Sequence, residues 1–174
     1  DTEMLRAPSE IAPVVERLGG YPVVLKFLRG NQGVGVVYAP DESVVQSVLE
    51  AMNLVGFDVM LQRYYPLAAR SDLRILVLNG EPRWAVNRLS KEGRFRSNFH
   101  RGGTVSKALI TSQQEKLAVD AAAVFNLGFA GVDIVQGDDH ELVLEVNASP
   151  GFETVDTACS VDVAGEVLES LRGS

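Results

Sequence analysis

The chain has 174 residues, 46% of them hydrophobic, with 16 Lys+Arg against 23 Asp+Glu for a net charge of −7. That length and apolar content support one compact domain or two small lobes and exclude wholesale disorder. The acidity excludes a nucleic-acid binder working through an overall basic surface, though not a local basic patch; the single cysteine, Cys159, excludes an intrachain disulfide, and with only His100 and His140 beside it a structural zinc site is not expected.

Residues 1–8 read as polar and lack an initiating Met, which predicts a fragment or the ordered remainder of a longer chain. Ser9 then caps a short helix with Ile11, Val14, Val15 and Leu18 at helical spacing, ended by Gly19-Gly20. Residues 21–28 predict a strand carrying Lys26 among apolar neighbours, and the glycine-rich stretch GNQGVG (30–35) joins it to a second strand at 36–38. Asp41 caps a helix with Val44, Val45, Val48, Leu49, Met52 and Val55 on one face. A strand at 57–62 follows. After a connection come strands at 73–78 and 82–89, joined by Asn79-Gly80, a strong two-residue hairpin signal. Residues 90–104 predict a long basic loop. Thr111 or Ser112 opens a helix expected to turn Leu117, Ala121, Val124 and Phe125 inward. Strands at 130–135 and 141–147 flank a Gly137-Asp138-Asp139 turn, and Ser160 starts a last helix with Val163, Ala164, Val167, Leu168 and Leu171.

Hairpins dominate this order and strand–helix–strand alternation is absent, so the expected fold class is α+β with largely antiparallel sheets. The segment 61–71 is the expected hinge between a smaller lobe, 1–61, and a larger one, 62–174. No apolar run reaches the roughly 18–20 residues of a membrane span and no signal peptide is visible, so a soluble cytoplasmic protein without membrane partners is expected.

Three segments carry candidate chemistry. In residues 131–147, Glu145 and Asn147 are two apart on a strand and share a face. A turn at 138–139 sets Asp133 nearly opposite Glu145. Facing carboxylates destabilise a sheet unless something neutralises them; a hard divalent cation does so, and Asp, Glu and an amide oxygen are ligands magnesium takes. An acidic hairpin that is simply solvated is the alternative. Lys26, a lysine inside an apolar strand, needs an anion or a path to water: an ATP phosphate covered by the glycine loop would serve, as would plain snorkelling beside an ordinary turn. The P-loop pattern GxxxxGK(S/T) is missing. Residues 88–103 gather Arg88, Lys91, Arg94, Arg96 and Arg101 against one Glu92, which suits an anionic ligand. RNA, with Phe95 and Phe99 as a thin stacking platform, or a solvated loop are the alternatives.

In order, PVVLKFLRGNQGVGVV, LQRYYPLAARSDLRILVLNGE, RLSKEGRFRSNFHRGG, AGVDIV and LEVNASPG resemble the ATP-grasp ligases. Within them the series is most similar to the RimK-like glutamate ligases, which extend a small-subunit ribosomal protein with glutamates. The resemblance implies an ATP-grasp fold holding ATP between two α+β lobes. It implies transfer of the γ-phosphoryl group to a carboxylate and displacement of phosphate by an amine. Lys26 would contact ATP phosphates and Gln62, Arg63 and Tyr64 would form the adenine hinge, mainly through backbone. Asp72 would sit near nucleotide or substrate, and Arg96, Ser97 and Asn98 would line the nucleotide site. Asp133, Glu145 and Asn147 would bind magnesium, with manganese as a substitute. Arg88 would stabilise charge on the transferred group.

The implied partners are ATP, an amino acid (glutamate favoured) and a carboxylate acceptor such as a ribosomal protein C-terminus. A nucleic-acid partner is not expected, and homo-oligomer formation stays open. Two departures stand out. The family commonly has Gln-Glu at the hinge where Arg63 follows Gln62 here. Its N-terminal domain, with another ATP-contacting lysine, lies outside this chain, so the segment alone is expected to bind nucleotide poorly. The same chemistry on a small-molecule or carrier-protein acceptor is the alternative function, and a non-catalytic nucleotide- or RNA-binding module the further one.

Overall fold

The computed structural model describes residues 1–28, 35–56, 58–66, 71–90 and 103–172. They form two compact units, Asp1–Tyr64 and Tyr65–Ser174. Among the described residues no helix is long and apolar enough to cross a membrane.

The first unit runs β1 (Thr2–Leu5), a 3-10 turn (Pro8–Glu10), α1 (Ile11–Arg17), β2 (Val23–Phe27), β3 (Val36–Ala39), α2 (Glu42–Leu54) and β4 (Val59–Arg63). Its four strands pair antiparallel in the order β1-β4-β2-β3. Alternation sends Val23 and Leu25 of β2 and Val59 and Leu61 of β4 to one face, where they meet Ile11, Val14 and Val15 of α1 and Val45 and Leu49 of α2. Asp41 caps α2, its carboxylate accepting the backbone N–H groups of Ser43 and Val44, an arrangement worth about 1 kcal/mol. Two expectations change. Residues 2–5 form a strand, because pairing with β4 some 55 positions away supplies what four residues cannot supply alone. Val55, expected inward, is exposed, since α2 stops at Leu54.

The second unit runs β5 (Ser71–Leu78), β6 (Glu81–Leu89), β7 (Thr104–Lys107), α3 (Ser112–Val124), β8 (Phe129–Gln136), β9 (Glu141–Asn147), α4 (Glu153–Cys159) and α5 (Val163–Arg172). The five strands are antiparallel in the order β7-β6-β5-β8-β9. Asn79 (φ 51°) and Gly80 (φ 80°) turn β5 into β6 with both central residues left-handed, as the Asn-Gly signal requires.

One face of this sheet carries Leu73, Ile75, Val77, Ala85, Val132 and Ile134 and is covered by α3. The helix presents Ala118 and Ala122 to the sheet and leaves Val124 and Phe125 exposed. Leu117 and Ala121 pack against the same core as expected, whereas Val124 and Phe125, at the C-terminal end where the helix stops, fall outside it. Over part of the other face, Leu76, Leu78, Trp84 and Val86 pack against Val155 of α4 and Val163 of α5. Here α4 was not foreseen, and Ser160, expected to open the last helix, instead closes α4 in a left-handed conformation at φ 56°. Leu168 and Leu171 of α5, expected on its inner face, are exposed.

Candidate active site

Strand alternation decides what the part of the second sheet not covered by α4 and α5 presents. Leu76 and Val86 point toward α4 and α5, so Asp72 and Arg74 of β5 and Arg88 of β6 share their face two or four residues along. The pairings Arg74↔Asp133 and Asp133↔Glu145 extend that row onto β8 and β9. Asn147, opposite Gly131, completes it. Asp133 and Glu145 are direct cross-strand partners, with the bulge falling immediately after Asp133, so the expected opposition holds in the register.

The electrostatics differ from the sequence-level argument at one point. Of the two facing carboxylates, Asp133 does not depend on a cation for neutralisation: Arg74 donates from Nε to Asp133 Oδ1 (2.7 Å) and from Nη2 to Oδ2 (2.8 Å). Arg88 adds Nη2 to Oδ2 at 2.7 Å and gives its Nε to Asp72 Oδ1 at 2.5 Å. Burial pushes the Asp133 carboxyl upward, but the two guanidiniums override it and hold the group below the usual carboxylate range. Burial likewise opposes the charge on Arg88, and Asp133 and Asp72 reverse that, raising it above an ordinary arginine. The result is a buried chain, Asp72–Arg88–Asp133–Arg74, whose members fix one another. Arg74 is the residue that sequence reasoning missed. Its signal was present in DLR, where Asp72 and Arg74 share a face, but the pairing of β5 with β8 is non-local.

Glu145 and Asn147 behave differently. Glu145 is exposed, and among the described residues nothing hydrogen-bonds or ion-pairs with its carboxylate. Among the described residues the buried Asn147 Nδ2 atom has no hydrogen-bond partner, an arrangement that costs roughly 1–3 kcal/mol. A half-turn of the amide exchanges Nδ2 for Oδ1, so this unpaired position can present an acceptor. Among the described residues no group of three or more His, Cys, Asp or Glu could hold a metal. Asp133, Glu145 and Asn147 would offer two carboxylates and an amide, all oxygen donors of the kind a hard cation takes.

Gly131 holds this corner together. A Cβ there would lie 2.6 Å from Pro150 Cβ and 3.5 Å from Leu76 Cδ2, so the turn after Asn147 rests directly on the strand. Gly131→Ala is expected to destabilise the protein by about 1–3 kcal/mol through overpacking, as measured by urea unfolding. It should also weaken magnesium-dependent nucleotide binding, because the shifted turn carries Asn147 with it.

In the first unit, Lys26 and Gln62 lie on the face away from the helices: Val24 pairs with Gln62 and Lys26 with Met60. Gln62 is buried and donates to Thr2 Oγ1 at 2.9 Å. Tyr64 lies edge-on to Tyr38 of the same face, centroids 5.1 Å apart. Arg63 points the other way, toward Gly19 and the Asp1 carboxylate at 3.8 Å. Its side chain is not beside Lys26. Arg96, Ser97 and Asn98, with residues 29–34, lie outside the described residues.

Two α+β units with antiparallel sheets, one bearing a lysine strand and the other a carboxylate–amide row, define an ATP-grasp fold. The chain is similar to the ATP-grasp ligase PsnB, complexed with a precursor variant, Mg and ADP, at TM-score 0.75 and 21% identity over 99% of this chain and 52% of that one. It is also similar to the D-alanine–D-alanine ligase of Bacillus anthracis complexed with ATP, at TM-score 0.69 and 19% identity, covering 97% and 57%. The RimK-like ATP-grasp domain matches residues 1–171, and the chain belongs to that family. It is 39% identical over 170 residues to a probable alpha-L-glutamate ligase 2 of Pseudoalteromonas atlantica, covering 98% of this chain and 56% of that protein. It is 39% identical over 171 residues to the ribosomal protein bS6–L-glutamate ligase of Shigella boydii, of which it covers 57%. The chain thus spans little more than half the length of these relatives.

Proposed function

We propose that the protein to which this chain belongs is an ATP-dependent carboxylate–amine ligase that adds glutamate to a protein or peptide carboxylate. The observation that carries this reading is the row Asp72, Arg74, Arg88, Asp133, Glu145 and Asn147 on one sheet face, in a chain of the RimK-like family. In the reaction, an acceptor carboxylate oxygen forms a bond to the γ-phosphorus as the bond to ADP breaks. The amine nitrogen then bonds to the acyl carbon, phosphate leaves, and one proton is released. Such chemistry asks the protein for positioning and charge neutralisation, not for a covalent nucleophile.

Each residue has a role in this scheme. Lys26 meets ATP phosphates from the face of β2 turned away from the helices, and Gln62 with the backbone of Arg63 and Tyr64 holds the base. Asp133, Glu145 and Asn147 would hold magnesium, with manganese able to replace it; when bound, the ion neutralises phosphate charge. Asp72 and Asp133 fix the plane of Arg88, leaving its remaining N–H donors for the transferred group, where charge stabilisation is most effective. Arg96, Ser97 and Asn98 complete the nucleotide site. A ribosomal protein is the acceptor that the name of the Shigella boydii relative suggests, with its C-terminal carboxylate as our candidate for the modified group, and such an enzyme would work in the cytoplasm.

The test is ADP release by the full-length protein with magnesium, glutamate and a panel of acceptors including small-subunit ribosomal protein. Glutamate-dependent release with a protein or peptide acceptor is expected. No release above background with any acceptor or amino acid would sink the ligase reading.

A further inference from the structure

A carboxylate offers about four lone-pair positions for donors or a metal. At Asp133, among the described residues, three N–H donors are engaged: two on Oδ2, from Arg74 and Arg88, and one on Oδ1, from Arg74. One position is left, on Oδ1. We propose that Arg74 is a positioning residue that restricts Asp133 to this single free position and so sets the site's preference for a small, strictly octahedral cation over a larger one. The inference rests on Asp133 being a metal ligand, as proposed above.

Arg74 is suited to this task by geometry as well as charge. Its Nε and Nη2 grip the two carboxylate oxygens at 2.7 and 2.8 Å, a planar fork that aligns the carboxylate with the guanidinium. The side chains are 15% and 4% exposed, so water competes weakly. Arg88 cannot substitute, because it reaches only Oδ2 and its Nε is committed to Asp72. Without Arg74, Oδ1 loses its only donor among the described residues, and the carboxylate is free to turn and offer both oxygens. Magnesium demands near-ideal octahedral contacts at about 2.0–2.1 Å, whereas calcium takes 6–8 oxygens and accepts a chelating carboxylate. Pinning Asp133 therefore favours magnesium, and releasing it favours calcium.

Arg74→Lys separates the two contributions, since lysine keeps the charge and loses the fork. Magnesium and calcium would be titrated calorimetrically into full-length wild type, R74K and R74Q, each carrying ADP. The ratio of calcium to magnesium affinity is expected to rise about tenfold or more in both variants, the scale seen when a partner orienting a metal ligand is removed. An unchanged ratio, with both affinities lowered alike, would mean that Arg74 serves the fold alone and overturns the proposal. A second measurement needs no variant: crystals of wild type with ADP and manganese, the ion located by anomalous scattering. Contact through Oδ1 alone, with Arg74 still on the carboxylate, supports the proposal. Contact through both Asp133 oxygens overturns it and leaves the metal site standing; an ion remote from Asp133 overturns both.

Discussion

Glu145→Gln is expected to remove the magnesium-dependent part of ATP binding in the full-length protein and to lower kcat by on the order of 10³, while leaving thermal stability essentially unchanged. The stability half follows from exposure. Glu145 lies on the outer strand β9, and among the described residues nothing bonds to its carboxylate, so substitution should change stability by no more than about 0.5 kcal/mol. The functional half follows from charge. Glutamine keeps the shape and one oxygen but supplies no negative charge to a hard cation, and loss of several kcal/mol of charge stabilisation corresponds to about a thousandfold in rate. Calorimetry with and without magnesium, single-turnover ADP formation and a melting curve check the three parts. Unchanged magnesium-dependent binding would remove Glu145 from the ligand set.

Asp133→Asn should behave differently, losing stability as well as activity. Its carboxylate is buried between two guanidiniums, and removing one partner of such a pair leaves uncompensated charge, at a cost of about 3–5 kcal/mol. For a chain of this size that lowers Tm on the order of 10 °C. The pH dependence follows from the sign of the shift. The folded-state pKa lies below the unfolded one, so the contribution is present above the ordinary carboxylate value of about 4. It is lost as pH falls through the depressed value. Wild type should therefore hold this stabilisation in full above about pH 4 and lose it progressively below, and Asp133→Asn should lack that part of the acid transition. Acid titrations followed by circular dichroism would check it. A variant as stable as wild type at neutral pH would contradict the buried pairing.

The contrast between these two carboxylates shows how far the sequence could be read. Their opposition across β8 and β9 was legible, because Gly137-Asp138-Asp139 marks the turn and the side-chain period of two fixes the rest. The neutralisation of Asp133 was not legible. Arg74 is 59 positions from Asp133 and sits in an otherwise ordinary apolar strand, so only the pairing of β5 with β8 makes it a neighbour. The same distance effect hid β1, whose four residues become a strand through β4. In helix α3 the inner positions Leu117 and Ala121 were legible, but Val124 and Phe125 were not, since the helix ends there and its last residues leave the core. Segment α4 is only two turns long, and its apolar stripe of Phe152, Val155, Ala158 and Cys159 is too short to stand out from the sequence.

Adjacent positions on β4 answer to different neighbours: Gln62 looks toward Thr2 and the lysine side, Arg63 toward Gly19 and Asp1. Side-chain chemistry at 63 is therefore decoupled from the surface where a base would rest. An acid there would face Asp1 as a like charge, without disturbing Gln62. Arg63 accordingly bears on how β1 is held beside β4, not on the lysine face.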